Sequence, residues 1–154
     1  MVQDGWKDGL RNCFESIRLL ERCKSDTLLN FNQFCEFIAE PAFEALSEEL
    51  KEFGLRMKFQ QRKDKSVGYE ISFPKSRRPQ FFYIIMLPKN SVDLKLILKV
   101  RGKKSDGGLF EDSDLPFMES LAPGGVLKLT KEDLILDIVE KYRDFIYRAL
   151  TAPQ

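Results

Sequence analysis

Hydrophobic residues in the first part of the chain recur every three or four positions, which is the spacing of a helix that packs through one face. A first segment of this kind covers about residues 4–23 and begins at a capping candidate, Asp4. A polar stretch at residues 24–27 then interrupts the pattern. The pattern predicts an amphipathic helix whose apolar stripe consists of Trp6, Leu10, Phe14, Ile17 and Leu20.

A second helical pattern covers about residues 32–53 and stops at Gly54, a residue type that readily adopts the left-handed conformation found after helices. Pro41 lies inside this pattern. Because proline has no backbone N–H and crowds the preceding turn, we expect a kink or two abutting helices at this position.

From Leu55 the period of the pattern changes to two, as in strands that bury one face. The connections between the predicted strands are too short for parallel crossovers, so we expect an antiparallel meander. The third segment, Phe81–Leu87, is apolar at every position, which is typical of a strand that is covered on both faces or lies at an interface. The predicted strands cover about residues 55–61, 67–73, 80–87 and 92–101.

The rest of the chain divides into an irregular loop and a final helix. The loop, residues 102–129, contains paired glycines and an acidic stretch at residues 111–114. A loop of this length is functional, disordered, or contains a short element that the pattern does not show. The helix is predicted over residues 130–150, because Thr130 and Asp133 have the spacing of a capping box.

Together these elements predict a single α+β domain over residues 1–154. We expect a two-layer sandwich, in which a four-stranded antiparallel meander is covered on one face by the N-terminal and C-terminal helices. The chain has no apolar run of about 18 residues and no apolar leader, so we expect a cytoplasmic protein that does not enter the membrane.

The chain contains no histidine. This excludes Ser-His and Cys-His nucleophilic pairs, histidine general bases and histidine-ligated metals. The three cysteines, Cys13, Cys23 and Cys35, are odd in number and lack C-x-x-C spacing, which argues against a disulfide framework and a zinc site. We therefore expect reduced thiols, no bound metal and no cofactor.

The formal net charge of +1 hides an uneven distribution along the chain. Residues 1–54 hold 6 Lys/Arg and 11 Asp/Glu, a net charge of −5. Residues 55–104, which form the predicted meander, hold 14 Lys/Arg and 3 Asp/Glu, a net charge of +11. Residues 105–154 hold 5 and 10, again a net charge of −5. The predicted sheet is thus cationic between two acidic flanks, which directs the search for function to the sheet.

Strand alternation predicts which of these charges point away from the helices. Either Phe82, Ile84 and Met86 or their neighbours in the same strand must also lie on that side. The predicted binding surface consists of Arg56, Lys58, Phe82, Ile84, Met86, Lys95, Lys99 and Arg101. The turns at the two ends of the meander would add basic rims, formed by Arg62, Lys63, Lys65, Lys75, Arg77, Arg78 and Lys89.

Several interpretations of this surface remain open. It can be a solvated sheet face whose lysines discourage aggregation. It can be a protein interface, for a partner or for a homodimer, with residues 111–114 as an acidic complement that folds onto the sheet or reaches a second copy. It can also bind nucleic acid or another polyanion, with an aromatic side chain stacking on bases. We favour non-enzymatic binding of a protein, with polyanion binding as the alternative.

An enzyme is the third hypothesis. Without histidine, its chemistry would rest on carboxylates and lysine, and the nearest constellation is Glu70 with Asp93 and Lys95. Two carboxylates that hold a magnesium ion beside a lysine that orients water or phosphate would suit a nuclease-like reaction. The D-x-K pattern is common by chance in lysine-rich chains, so we treat these three residues as weak candidates.

Overall fold

The structure, a computed structural model, describes residues 5–72, 81–103, 109–118 and 125–151. Five strands pair in chain order and antiparallel to one another, so the sheet is a simple meander. The α+β architecture predicted from the sequence is confirmed, with one strand more than expected. The strands are β1 (Arg56–Arg62), β2 (Ser66–Ser72), β3 (Phe81–Met86), β4 (Ile97–Lys103) and β5 (Leu109–Pro116).

The additional strand, β5, lies in the segment that was predicted as an irregular loop. It pairs only with β4 and contains the acidic stretch at residues 111–114. A strand at a sheet edge that is rich in acidic residues shows no clear apolar alternation, so its sequence does not identify it. A short 3₁₀ helix, Gly125–Lys128, occupies a further part of the same segment.

The fourth strand begins later than predicted, at Ile97 instead of about residue 92. Leu94 and Leu96 are nevertheless buried, in the connection that leads into β4. The backbone N–H of Phe117 donates to the carbonyl of Leu96, at 3.0 Å. The apolar alternation therefore predicted correctly that these leucines are buried, but it did not predict the backbone conformation of the connection.

The N-terminal helix, α1 (Gly5–Phe34), is continuous through the polar stretch that was expected to end it. Thr27 in that stretch is buried, and its hydroxyl donates to the carbonyl of Cys23 at 2.8 Å. The hydroxyl therefore finds its partner within the helix itself. The prediction of two separate helices over residues 4–23 and 32–53 is wrong in this respect.

The interruption expected at Pro41 is present as a π-helical turn, Cys35–Ala39, which is followed by α2 (Glu40–Lys51). Pro41 stands in the first turn of α2 and has no N–H to offer the carbonyl four residues earlier. The backbone N–H of Glu40 instead donates to the carbonyl of Cys35, five residues earlier. The wider turn therefore accommodates the proline without a loop.

The last helix, α3 (Lys131–Thr151), begins with the predicted capping box. The backbone N–H of Asp133 donates to the Thr130 hydroxyl at 3.2 Å, and the N–H of Thr130 donates to the Asp133 carboxylate at 3.0 Å. Two donors that the helix cannot satisfy internally are thus bound.

Helices α2 and α3 cover one face of the sheet, which we call the inner face. The ring of Phe43 in α2 stacks on that of Tyr69 in β2, with centroids 4.7 Å apart. Phe81 in β3 contacts Tyr142 and Phe145 of α3, at centroid distances of 5.3 and 5.5 Å. These aromatic contacts join the two layers of the fold.

The C-terminal end of α1 is fixed to the same core. Phe31 and Phe34 are fully buried, and the ring of Phe34 meets that of Phe117 edge-on at 5.9 Å. The amide of Asn32 donates to the carboxylate of Asp64, in the turn between β1 and β2, at 2.7 Å. The direction of α1 is therefore set by packing and by a polar contact with the sheet.

Two tyrosines bring their hydroxyl groups into the inner layer. Tyr69 shares a hydrogen bond of 2.7 Å with Ser47, and burial raises its pKa to about 12. Tyr83 donates to Asp137, which also accepts from Lys141 at 3.2 Å. Burial, and then the negative charge of Asp137, raise the pKa of Tyr83 well above its ordinary value.

We expect the free energy of unfolding to fall as the pH rises above about 10, the ordinary pKa of tyrosine. Above that pH only the unfolded chain releases the Tyr69 proton, until the folded-state pKa of about 12 is reached. The slope for one such group is about 1.4 kcal/mol per pH unit. Urea unfolding between about pH 9 and pH 12 should show a smaller slope in Tyr69→Phe. The exposed Tyr147, changed to Phe, is the control; equal slopes in all three proteins would contradict the assignment.

The close packing of α3 on β4 leads to a second prediction, which concerns Gly102. A Cβ atom at this position would collide with the ring of Phe145, which is buried. Gly102→Ala should therefore lower the free energy of unfolding by about 1 to 3 kcal/mol in urea titrations. Gly9→Ala, on an exposed helix with nothing near the added atom, should instead be neutral or stabilising. A loss of stability in the Gly9 variant as large as that in the Gly102 variant would refute this account.

Candidate functional site

The third strand decides which residues lie on the second face of the sheet, which we call the outer face. Phe81, Tyr83 and Ile85 are fully buried against the helices. The alternate residues, Phe82, Ile84 and Met86, therefore point to the outer face, where the first two are half-buried and Met86 is 37% exposed. The structure thus resolves the choice that the sequence left open: an apolar strand segment lies on the basic side.

Cross-strand pairing defines what surrounds these three side chains. Phe82 lies between Glu70 of β2 and Arg101 of β4. Ile84 lies between Gly68 and Lys99, and Met86 lies between Ser66 and Ile97. Directly paired residues share a face of the sheet, so Ile97, which is 37% exposed, extends the apolar strip. We define the apolar strip as Phe82, Ile84, Met86 and Ile97.

Ile97 was not among the predicted site residues. Its position in the alternation placed it among lysines on the outward side, which gave no reason to treat it as part of an apolar contact surface. The signal that identifies it is its pairing partner, Met86, and a register cannot be obtained from one strand alone.

Basic side chains lie on both sides of the apolar strip, directly beside it on β4 and one strand away on β1, beyond β2. Arg56 and Lys58 of β1 are exposed, and their pairing with Ser72 and Glu70 places them on the outer face. On the other side Lys99 and Arg101 of β4 are half-buried. The ammonium group of Lys103 lies 5.6 Å from the centroid of the Phe82 ring, within the range of a cation–π contact.

The acidic stretch at residues 111–114 joins the sheet as an edge strand instead of lying on its face. It forms part of β5, and the pairing places Asp112 opposite Arg101 and Asp114 opposite Lys99. The carboxylate of Asp114 lies 4.0 Å from the Lys99 ammonium group. Among the described residues, the outer face thus has lysine and arginine on β1 and β4, and the carboxylate of Asp114 lies beside it on β5.

The predicted basic rims are placed only in part. Arg62 ends β1, Lys63 and Lys65 lie in the turn between β1 and β2, and Lys89 lies in the connection after β3. These two connections are adjacent, because the N–H of Leu87 donates to the carbonyl of Lys65 at 2.8 Å. The other predicted rim residues, Lys75, Arg77 and Arg78, lie outside the described residues.

The weak enzyme candidates do not form a common site. Glu70 is paired with Phe82, whereas Asp93 and Lys95 follow Met86 in the connection to β4. Met86 lies four positions after Phe82, which is about 13 Å along a strand. Lys95 was predicted within the fourth strand, but it precedes that strand and lies 3.9 Å from the carboxylate of Asp93. Within the described parts of the chain, no group of three or more acidic or cysteine side chains could hold a metal ion.

The N-terminal part of α1 differs most from the sequence expectation. The apolar stripe of this helix was expected to cover the sheet, yet every residue from 5 to 22 is exposed. Trp6 is 65% and Phe14 56% exposed. Among the described residues, the stripe is thus a second exposed apolar surface.

Of the cysteines, Cys13 is exposed and Cys23 half-buried, whereas burial raises the pKa of the Cys35 thiol to about 12.

Comparison of the chain with protein families, with curated proteins and with solved structures gives no match. Among the helices described by the structure, none is both long and apolar enough to cross a membrane. The function therefore has to be argued from the two exposed surfaces.

Proposed function

We propose that this protein is a non-enzymatic binding protein, and that the outer face of its sheet binds a protein segment with acidic and large apolar side chains. The observation that carries the proposal is the apolar strip on β3 and β4, which lies on the face of the sheet that helices α2 and α3 do not cover. Exposed apolar side chains grouped within a charged border are typical of protein interaction sites.

The chemistry of the strip favours a protein over a nucleic acid. Three of its four members, Ile84, Met86 and Ile97, are aliphatic and offer no ring on which a base can stack. The one aromatic member, Phe82, is half-buried and already has Lys103 close to its ring. Flexible and branched aliphatic side chains instead suit contact with apolar side chains of a protein.

The charges around the strip indicate the sign of the partner. The basic residues of the outer face are Arg56, Lys58, Lys99, Arg101 and Lys103, and the strand pairing assigns Glu70, Asp112 and Asp114 to the same face. An acidic segment would meet a basic border along β1 and β4, which favours both encounter and orientation. A phosphate backbone would meet the same charges, so the preference for a protein segment rests on the apolar strip.

The proposal can be tested with labelled probes of matched length in fluorescence anisotropy. The probes are a peptide that alternates Asp with Leu, one that alternates Asp with Ser, one that alternates Lys with Leu, and a single-stranded oligothymidylate. We expect the Asp/Leu peptide to bind at least about tenfold more tightly than each other probe, because it matches both charge and apolar contact.

Matched variants locate the contact. Lys99→Gln and Met86→Gln should each weaken binding of the Asp/Leu peptide about tenfold, whereas the exposed controls Lys131→Gln and Leu136→Gln should not. Tightest binding of the oligothymidylate would replace this proposal by polyanion binding. Equal affinity for the Asp/Ser peptide, equal effects of all four variants, or no binding of any probe would each overturn it.

A further inference from the structure

The exposed part of α1, residues 5–22, is an arm whose apolar side chains follow a coiled-coil repeat. Successive positions along one line of the helix are separated alternately by four and three residues over its whole length. Such a seven-residue period is the pattern by which two helices pack through a common seam. The seam positions are Trp6, Leu10, Cys13, Ile17, Leu20, Lys24, Thr27, Phe31 and Phe34.

The two ends of this seam differ in environment. The last three positions, Thr27, Phe31 and Phe34, are buried in the core of the chain itself. The first five are exposed, with Leu10 and Leu20 each 50% exposed. The C-terminal end of the seam is therefore buried in the core of the chain, whereas the same repeat is exposed at the N-terminal end.

We propose that a second copy of the chain covers the exposed seam, with the two arms packed antiparallel about a twofold axis near residue 15. In this register Leu10 of each copy lies opposite Leu20 of the other, and Cys13 lies opposite Ile17. Trp6 lies opposite Lys24. Each exposed seam position then has a partner, and the pairing spans the whole arm, which is about 27 Å long.

Lys24 explains the antiparallel direction. It is the one charged residue among the seam positions. Parallel arms would place the two Lys24 ammonium groups against each other, which is unfavourable at a seam position. Antiparallel arms place each beside the Trp6 ring of the other copy, and tryptophan is the aromatic residue that attracts a cation best. Lys7 of the same chain already lies 5.5 Å from the centroid of this ring, so Lys24 would be a second cation beside it.

The flanking charges favour the same direction. Lys7 and Glu21 each follow a seam position directly, so they lie along the same side of the seam. In antiparallel helices these flanking positions approach their equivalents in the other helix, which would bring Lys7 of each copy near Glu21 of the other. Parallel arms would give neither the contact of Lys24 with Trp6 nor that of Lys7 with Glu21.

The rest of each chain, from about Thr27 onward, is called the body here, and its position is also compatible with antiparallel arms. Each body begins where Thr27 is buried, just beyond the end of the exposed seam. Antiparallel pairing places the two bodies at opposite ends of the arms, whereas parallel pairing would place them side by side. Because each arm continues a helix anchored in its own core, little ordering is required on association.

Sedimentation velocity between about 5 and about 500 μM should show a monomer that converts to a dimer with concentration. Leu20→Glu should raise the dissociation constant at least about tenfold, because it places a charge in the seam. The matched control is Leu19→Glu, which lies next to Leu20 but outside the seam positions and is 58% exposed, and which should change the dissociation constant less than about twofold. A wild-type monomer at every concentration, or equal effects of the two variants, would overturn the proposal.

The native Cys13 reports the direction of the arms. Parallel arms would set the two Cys13 thiols face to face and form a disulfide on mild oxidation, whereas antiparallel arms hold them too far apart. In a Cys13→Ser background, the double variant Leu10→Cys and Leu20→Cys should instead cross-link between copies, whereas neither single variant should, because only parallel arms would place each new thiol opposite its own equivalent. Efficient Cys13 cross-linking, or none in the double variant, would exclude this geometry. Met86→Gln should leave the dimer intact, so failure of this proposal and of sheet-face binding can be told apart.

Discussion

The structure depends on an imbalance between the apolar surface of the sheet and the helical surface available to cover it. Strand β3 is apolar on both faces, but α2 and α3 pack on the inner face alone, through Phe43, Phe81 and Phe145. The outward side chains of β3 lie on the face that these two helices leave open, and among the described residues Met86 is exposed there. Because burial of apolar area drives folding and association alike, the surface left over by folding is where a binding role is most reasonably sought.

Much of the fold could be predicted from the sequence, because helix and strand periods, the capping box at Thr130 and the proline at position 41 are local signals. Strand β5 could not, since an edge strand with one neighbour needs little apolar alternation. The sequence also did not predict that α1 is continuous. The polar residues 24–27 resemble a helix break, and the hydrogen bond of the Thr27 hydroxyl to its own helix cannot be recognised from the sequence.

The binding surface was only partly predictable, for a different reason. Alternation gives two possible faces for β3 and cannot say which of them the helices choose. Strand pairing shows that Ile97 belongs to the surface. It also places Glu70 opposite Phe82, whereas Asp93 lies in the connection that precedes β4. The stripe of α1 shows a complementary limit: amphipathicity predicts that a face will be covered, but not that the covering surface belongs to the same chain.

The unbroken course of α1 also makes it a spacer of defined length. A helix anchored through Phe31 and Asn32 transmits its direction to its tip, so anything held by the arm has a fixed orientation relative to the sheet. In the antiparallel pair the two Thr27 positions would be about 36 Å apart. Two outer faces at such a separation could not share one small ligand, but they could engage two sites on one extended partner, whose second contact would then be intramolecular and correspondingly stronger.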